Sequence, residues 1–368
     1  DVFPMNKISI KDISRSLIFM MAFALIFVFL ARGFAVGSSS SEDGMESRIT
    51  TAYRGEARNS LDVIFTGNSD IYRAISPVDL FHQTGITSAI AGRPNKQLSE
   101  VPGDIRDILR YQNPKTIVLE TDCMFSGTNP GFKKGISPLE AEAAKVDMAG
   151  QAPSKATNTP QQNIFDKCKA LLQEGDSAFL AALNYKFPLV KYHNNWKHLK
   201  LTTFLQPRGK YHFSNKGMAY ANTVKAYPFG NEYMQLSGGK HAMLSEEKLD
   251  QFQKIYDLCD RNGIRLVLLT VPSANTWNKG KSDTVKQLAK KYDLTYYDYN
   301  RQLPAGFNWV TDSKDGGNHL NYAGASAVTK DLAKKLTDDL TMNPTSLTKE
   351  QKQQWKKDYE HFHKSIVK

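Results

Sequence analysis

An α/β fold built on a parallel sheet is predicted for this chain, on three observations. Short apolar runs alternate with amphipathic segments of helical period over most of residues 59–340. The first apolar run ends in a glycine turn, Phe65-Thr-Gly-Asn-Ser-Asp70. A glycine-rich polar loop, Asp315-Gly-Gly-Asn-His319, precedes the last long segment of that stretch. Alternation of this kind implies a parallel sheet covered by helices on both faces, a three-layer α/β/α arrangement. Ligands of such sheets bind beyond the carboxyl ends of the strands.

The elements follow in order. Residues 61–67 (LDVIFTG) are the first expected strand, 86–91 the second and Thr116–Glu120 (TIVLE) the third. Between the last two, Val101, Ile105, Ile108 and Leu109 recur at helical spacing, which predicts a helix over 98–111. A second helix is expected over 244–261, with Ser245 as N-cap and Gly263 after its end. The strand 264–271, a helix near 284–292, the strand 294–299 and a helix over 323–340 complete the alternation. The tail, 341–368, contains a charged amphipathic helix.

The middle breaks this rhythm. Residues 137–243 read as an insertion: a loop rich in Ala, Pro, Thr, Ser and Gln over 137–162, then an aromatic-rich stretch. Its aromatics include Phe179, Tyr185, Phe187, Tyr192, Trp196, Phe204, Tyr211, Phe213, Tyr220 and Tyr227. The insertion is expected to cap the carboxyl edge of the sheet.

Composition bounds the class. The chain has 368 residues, 40% hydrophobic and 23% charged, which is ordinary for a globular protein. The net charge of +11 suits an anionic polymer or an anionic lipid surface. Its lysines are spread over helices rather than gathered with aromatics, which argues against nucleic acid. Lys210, His212 and Lys216 read as a basic rim or a solvated face. Cys123, Cys168 and Cys259 match no zinc spacing, and an odd count excludes a complete disulfide framework. His193 and His198, near Asp166 and Cys168, offer no three-ligand metal spacing. No metal and no cofactor is expected.

The N-terminus reads as an export segment. Residues 17–31 (LIFMMAFALIFVFLA) carry no charge and follow Lys7, Lys11 and Arg15. Extended through 36, the run reaches the ~20 residues that cross a bilayer. The expectation is a short cytoplasmic stretch (1–16), a single-pass anchor (17–36), a linker (37–58) and an extracellular C-terminal domain. Cleavage after Gly37 is the rival, and residues 1–4 read as an addition ahead of Met5.

Ser69 and His319 are the candidates for chemistry. A serine at a strand-to-helix turn exposes its hydroxyl at the sheet edge, and Gly67 permits the turn. It needs a neighbouring base, and the base needs a carboxylate to hold its tautomer. In a doubly wound sheet, Ser69 and the Asp/His loop reach the same edge.

These residues resemble the SGNH/GDSL hydrolase superfamily, whose fold is flavodoxin-like, and in particular its membrane-anchored Gram-positive branch. GNSD (67–70) is similar to the nucleophile block and Ala89-Ile-Ala-Gly92-Arg-Pro-Asn95 to the glycine block. NPKTIVLET (113–121) is similar to the third block, and the segments 271–277 and 297–300 to those leading to the Asp/His loop. Phe187-Pro-Leu-Val-Lys-Tyr-His-Asn-Asn-Trp196 is similar to a recurring feature of the branch. The resemblance implies Ser69 as nucleophile, His319 as base and an acid beside it. The family's acid position falls on Gly316, so Asp315 is chosen and Asp312 held in reserve. The third block supplies an oxyanion-binding Asn in the family, whereas this chain reads Glu120-Thr-Asp122. Either the amides of Ser69 and Gly92 serve the oxyanion, or Asp122 is protonated, or Asn95 donates. Asp122, Trp277 and Asn318 are the implied substrate contacts. The implied activity is acyl transfer or ester hydrolysis on a cell-wall polymer such as teichoic acid or another glycan, beside a multi-pass membrane O-acyltransferase. The alternative is a degenerate fold that binds wall glycan or scaffolds that partner.

Overall fold

The computed structural model describes residues 10–37, 49–126, 137, 139 and 212–367. The chain divides into two units, Asp1–Met45 with Pro153–Gly209, and Glu46–Ala152 with Lys210–Lys368. The described part of the first is one helix, α1 (Ile10–Gly37), 28 residues long. It contains the apolar run, with Leu17, Phe19, Met20, Phe23 and Leu25 exposed. Among the described residues, no helix is long and apolar enough to cross a membrane.

The second unit is built on five parallel strands: β1 (Val63–Gly67), β2 (Ser88–Gly92), β3 (Thr116–Glu120), β4 (Arg265–Thr270) and β5 (Thr295–Asp298). Their order is β2-β1-β3-β4-β5. Every residue of β1, β2 and β3 is buried, as expected of strands covered on both faces. β5, at the edge, is only half-buried. The sheet register pairs Val63 with Ser88 and with Thr116, and it places Gly67 opposite Gly92.

Seven helices of the second unit are labelled in chain order: α2 (Ser69–Ala74), α3 (Pro77–Thr84), α4 (Val101–Ile108), α5 (Glu246–Arg261), α6 (Lys279–Lys291), α7 (Tyr322–Lys334) and α8 (Lys349–Ile366). α7 packs on α2 and α3, and α8 lies against α3. α5 packs on α4 and β4. Ser245 caps α5 by accepting from the Lys248 amide, as the sequence predicts.

Helix α3 is absent from the sequence expectation. Its start is a Ser76 cap with Pro77 next, and its stop is Gly85 in the left-handed region at φ 75°. Eight residues are too few for a clear period, so those two punctuation marks are its only local signal. α6 begins five residues before the expected 284, because the Asn278 side chain caps it through the Lys281 amide. The last expected helix is α7 followed by a π turn, Lys335–Asp339.

The linker ends earlier than 58. Ile49 and Tyr53 are buried, and the Tyr53 hydroxyl donates to Asp107 at 2.6 Å, so this stretch belongs to the core. The expected insertion is described only at 137 and 139 and from 212 onward, and Phe179, Tyr185, Phe187, Tyr192, Trp196, Phe204 and Tyr211 lie outside the described residues. So do Lys210, Cys168, Asp166, His193 and His198. Cys123 and Cys259 are buried free thiols.

The basic rim is corrected. Lys216 is fully buried, with Nζ 2.7 Å from both Glu56 and Asp358 and 4.4 Å from the centre of the Trp355 ring. His212 shares the same two carboxylates. These charges tie α8 to the segment beside β2 rather than facing solvent.

Candidate active site

The strand order reverses between β1 and β3, and the crevice at their carboxyl ends is where such sheets bind ligands. β1 ends at Gly67, Asn68 caps α2, and Ser69 is its first residue. A Cβ on Gly67 would stand 2.5 Å from the Glu120 Cβ, so only glycine allows β1 and β3 to close here. Asn68 accepts from the Asp70 amide at 2.9 Å, and its Nδ2 donates to Asp122 Oδ2 at 2.9 Å. The residue before the nucleophile candidate is thus tied to the end of β3.

His319 reaches this edge from a distance of 250 residues. Its Nε2 lies 2.8 Å from Ser69 Oγ, and its Nδ1 2.6 Å from Asp315 Oδ2. Asp315 Oδ1 also accepts from the His319 amide at 2.8 Å, so one carboxylate fixes both the ring and its backbone. Burial pushes the Asp315 carboxyl up, but the bonds from His319 outweigh it and hold the acid below its ordinary value. With Nδ1–H committed to Asp315, Nε2 is the lone-pair nitrogen facing the serine hydroxyl. This arrangement can take the serine proton as the oxygen attacks.

The loop that carries His319 is braced by a segment whose role the sequence did not reveal. The amides of Lys225 and Tyr227 donate to Ser313 O and Trp309 O, and the Gly316 amide returns a bond to Lys225 O. Gly316 and Gly317 take φ of 84° and 100°. A Cβ on Gly317 would meet the Tyr227 ring at 2.5 Å. Tyr227 sits in an aromatic cluster with Phe229, Tyr233 and Trp309. The described part of the insertion therefore buttresses the histidine loop. Tyr220, also in this segment, packs edge-on to Phe362 of α8.

The remaining candidates divide. Asp312 does not reach His319. Its carboxylate accepts from the Asn308 amide at 2.9 Å and the Thr311 hydroxyl at 2.8 Å, closing its own helical turn. Trp277 is fully buried and packs edge-on to Phe125 at 5.6 Å, so it is core rather than a substrate contact. Gly92 is paired in the edge strand β2. Its neighbour Arg93 donates to Gly67 O, whereas Ile90, two residues before Gly92, donates outward to Lys216 O. By strand alternation the Gly92 amide points outward too, away from the Ser69 side. A Cβ there would meet Tyr72 at 2.9 Å, so this glycine serves the packing of α2 on β2.

A cavity of about 480 Å³ opens at the serine, lined by Asn68, Ser69, Asp70, Asn95, Gln97, Asp122, Ser126, Thr276 and Asn318. Every one of these side chains is polar. Asn95 and Asn318 are among its lining residues, and the Asn318 side-chain amide stands 3.0 Å from His319 Nδ1. Asp122 is an acceptor here rather than a donor. Oδ2 receives Asn68, and Oδ1 lies 3.4 Å from the Lys281 ammonium. Ser69 opens a helix, where the first amides lack intrahelical partners. The Ser69 amide and Asn95 are thus the donors left for an oxyanion.

Beneath the cavity lies a charge cluster that the sequence did not reveal. Asp70, Glu120 and Asp122 are buried around Lys281, which has no exposed surface. Burial, with the Asp122 charge beside it, pushes Glu120 up to about 8. Burial likewise lowers the Lys281 ammonium, against the pull of Asp122. Lys281 also donates to Thr276 O at 2.5 Å and lies near the Phe125 and Trp277 rings. Asp122 and Lys281 are 159 residues apart, and nothing local in the chain marks them as a pair. Among the described residues no three His, Cys, Asp or Glu side chains gather as a metal site would require.

No protein-family model matches the chain, and no curated protein matches it. Among solved structures, a putative acylhydrolase from Bacteroides fragilis is similar at 11% identity and a TM-score of 0.37, over 79% of this chain and 95% of that one. A GDSL-like lipase from Bacteroides thetaiotaomicron is similar at 12% identity and a TM-score of 0.32, over 82% and 98%. At those scores the likeness carries no weight, and the case for chemistry rests on the geometry around Ser69.

Proposed function

We propose that this chain is a serine-dependent acyl-transfer enzyme of the SGNH/GDSL type, acting on a polar, hydroxyl-rich ester substrate. The observation that carries the reading is the bridge of His319 between Ser69 Oγ at 2.8 Å and Asp315 at 2.6 Å. Ser69 Oγ attacks the ester carbonyl while His319 Nε2 takes its proton. Asp315 holds the tautomer and stabilises the imidazolium. His319 returns the proton to the leaving oxygen, and the acyl group remains on Ser69. Water or a sugar hydroxyl then gives its proton to His319 and takes the acyl group, the acyl–Oγ bond breaks, and His319 returns that proton to Ser69 Oγ. The first acceptor makes an esterase, the second an O-acyltransferase.

The cavity supports a polar substrate. A long acyl chain would bury apolar surface against amides and carboxylates, without gain. Of the wall polymers that a net charge of +11 suggests, a neutral glycan suits the cavity better than a teichoic phosphodiester. Asp122 would repel a phosphate there.

An anchor is proposed on the sequence. Residues 17–36 follow a basic flank, which by the positive-inside rule puts the second unit outside the cell. A multi-pass O-acyltransferase is the partner that would supply acyl groups there. Protease treatment of intact cells tests this placement, since an internal domain would survive it.

The test of the chemistry is labelling of the full chain by a fluorophosphonate probe. Wild type is expected to label and Ser69→Ala to stay unlabelled. An unlabelled wild type that still binds wall glycan would sink the enzymatic reading in favour of a binding or scaffolding role.

A further inference from the structure

Asp70 follows the nucleophile directly and lines the same cavity. Its side chain is 4% exposed. Among the described residues its carboxyl oxygens receive no hydrogen bond, and His319 Nε2 stands 3.9 Å from Oδ1. Buried carboxyl groups are ordinarily paired. One that faces a cavity beside a nucleophile, and stands beyond hydrogen-bond reach of the base across it, has room for a ligand atom between.

The geometry says which atom. An oxygen within hydrogen-bond reach of both His319 Nε2 and Asp70 Oδ1, about 2.8 Å from each, fits between two groups 3.9 Å apart. In acyl transfer through Ser69, the oxygen that meets His319 Nε2 after the attack is the leaving oxygen of the ester. We propose that Asp70 is a catalytic residue that donates a hydrogen bond to this leaving oxygen. Such a role rests on the acyl-transfer reading and deepens it.

Donation needs a proton on Asp70, and its surroundings keep one there. Burial comes first, then the charges of Asp122 and Glu120 from the end of β3 and of Asp315 from the histidine loop. Against them stands the Lys281 ammonium from α6. The sum holds the acid well above the ordinary carboxylate range. During acylation the Oγ–carbon bond forms and the carbon–oxygen bond to the leaving group breaks. The serine proton passes through His319 to the leaving oxygen, and Asp70 keeps its own proton, lending only a hydrogen bond. That bond strengthens as negative charge develops on the oxygen, so it favours the transition state over the bound ester.

The test compares two esters of one acid in the full chain. p-Nitrophenyl acetate has a leaving group that departs without help, whereas ethyl acetate does not. Asp70→Ala is expected to lower kcat/KM for ethyl acetate by ~10²-fold, and by at least about tenfold more than for p-nitrophenyl acetate. Asp70→Asn keeps a donor of the same shape. It should retain ethyl acetate hydrolysis within about tenfold, and keep it at alkaline pH where the wild type declines. Equal losses on both esters in Asp70→Asn, or none in either variant, would overturn the role of Asp70 alone. A wild type inert to both esters would overturn the acyl-transfer reading and the role of Asp70 together.

Discussion

Asp315→Asn is the sharpest perturbation of the relay. Asp315 receives three hydrogen bonds, from His319 Nδ1 at 2.6 Å, its amide at 2.8 Å and the Asn318 amide at 3.3 Å. An asparagine can satisfy the two backbone amides with its carbonyl oxygen, so the loop should keep its shape. Its NH₂ then faces His319 Nδ1 and asks that nitrogen to accept. The Asn318 side-chain amide, 3.0 Å from the same nitrogen, adds a second donor. Both favour the tautomer with its proton on Nε2, which points a hydrogen at Ser69 and cannot take one. A wrong-tautomer substitution of this type costs ~10⁴ in rate, or about 5 kcal/mol of barrier. The assay is the rate of fluorophosphonate labelling at Ser69, with the thermal midpoint as control for folding. Asp312→Asn serves as comparison and is expected to label at the wild-type rate, since the Asp312 carboxylate bonds the Asn308 amide and Thr311 hydroxyl of its own turn. Labelling of Asp315→Asn within tenfold of wild type would refute the assignment, and so would an equal loss in Asp312→Asn.

The buried charges set three further outcomes. Lys281→Met leaves Asp70, Glu120 and Asp122 without their shared cation and should cost ~3–5 kcal/mol in urea unfolding; an unchanged midpoint would show that the cluster does not depend on Lys281. Glu120 is raised to about 8 in the folded state, so the fold holds a proton that the unfolded chain releases above about 4.3. Stability therefore falls as pH rises from the unfolded value through about 8, and Glu120→Gln should flatten that fall, whereas parallel melting curves across pH 5–8 would contradict it. His212 is raised to about 9 by its bonds to Asp358 and Glu56, and its contribution is full below about 6.5 and lost as pH rises through 9. His212→Gln should remove that decline and loosen α8, read as faster amide exchange over Lys349–Ile366 at pH 6 but little change at pH 10.

The strands and most long helices were legible because their signals are local. Burial on both faces makes Thr116–Glu120 a continuous apolar run ending in a lone acid. Ser245 is a cap that its neighbours announce. The short helix α3 escaped because eight residues barely complete two turns, and its Ser-Pro start and glycine stop were the only cues. Trp277 and Gly92 were misread for a common reason. A residue in a recognisable segment can serve packing, and only its neighbours in space say so.

By itself the sequence determined the alternating α/β pattern, the serine turn after β1 and the Asp315/His319 loop before α7. Each is written in contiguous residues. The tertiary structure alone decided that His319 meets Ser69 across 250 positions and that Asp315 rather than Asp312 stands behind it. It also decided that Asp70, Glu120, Asp122 and Lys281 share one buried cluster. The physical reason lies in the parallel sheet, which carries the ends of β1 and β3 and the loop before α7 to one edge. Groups that meet there need only suit each other in space, and their spacing along the chain records nothing of the match.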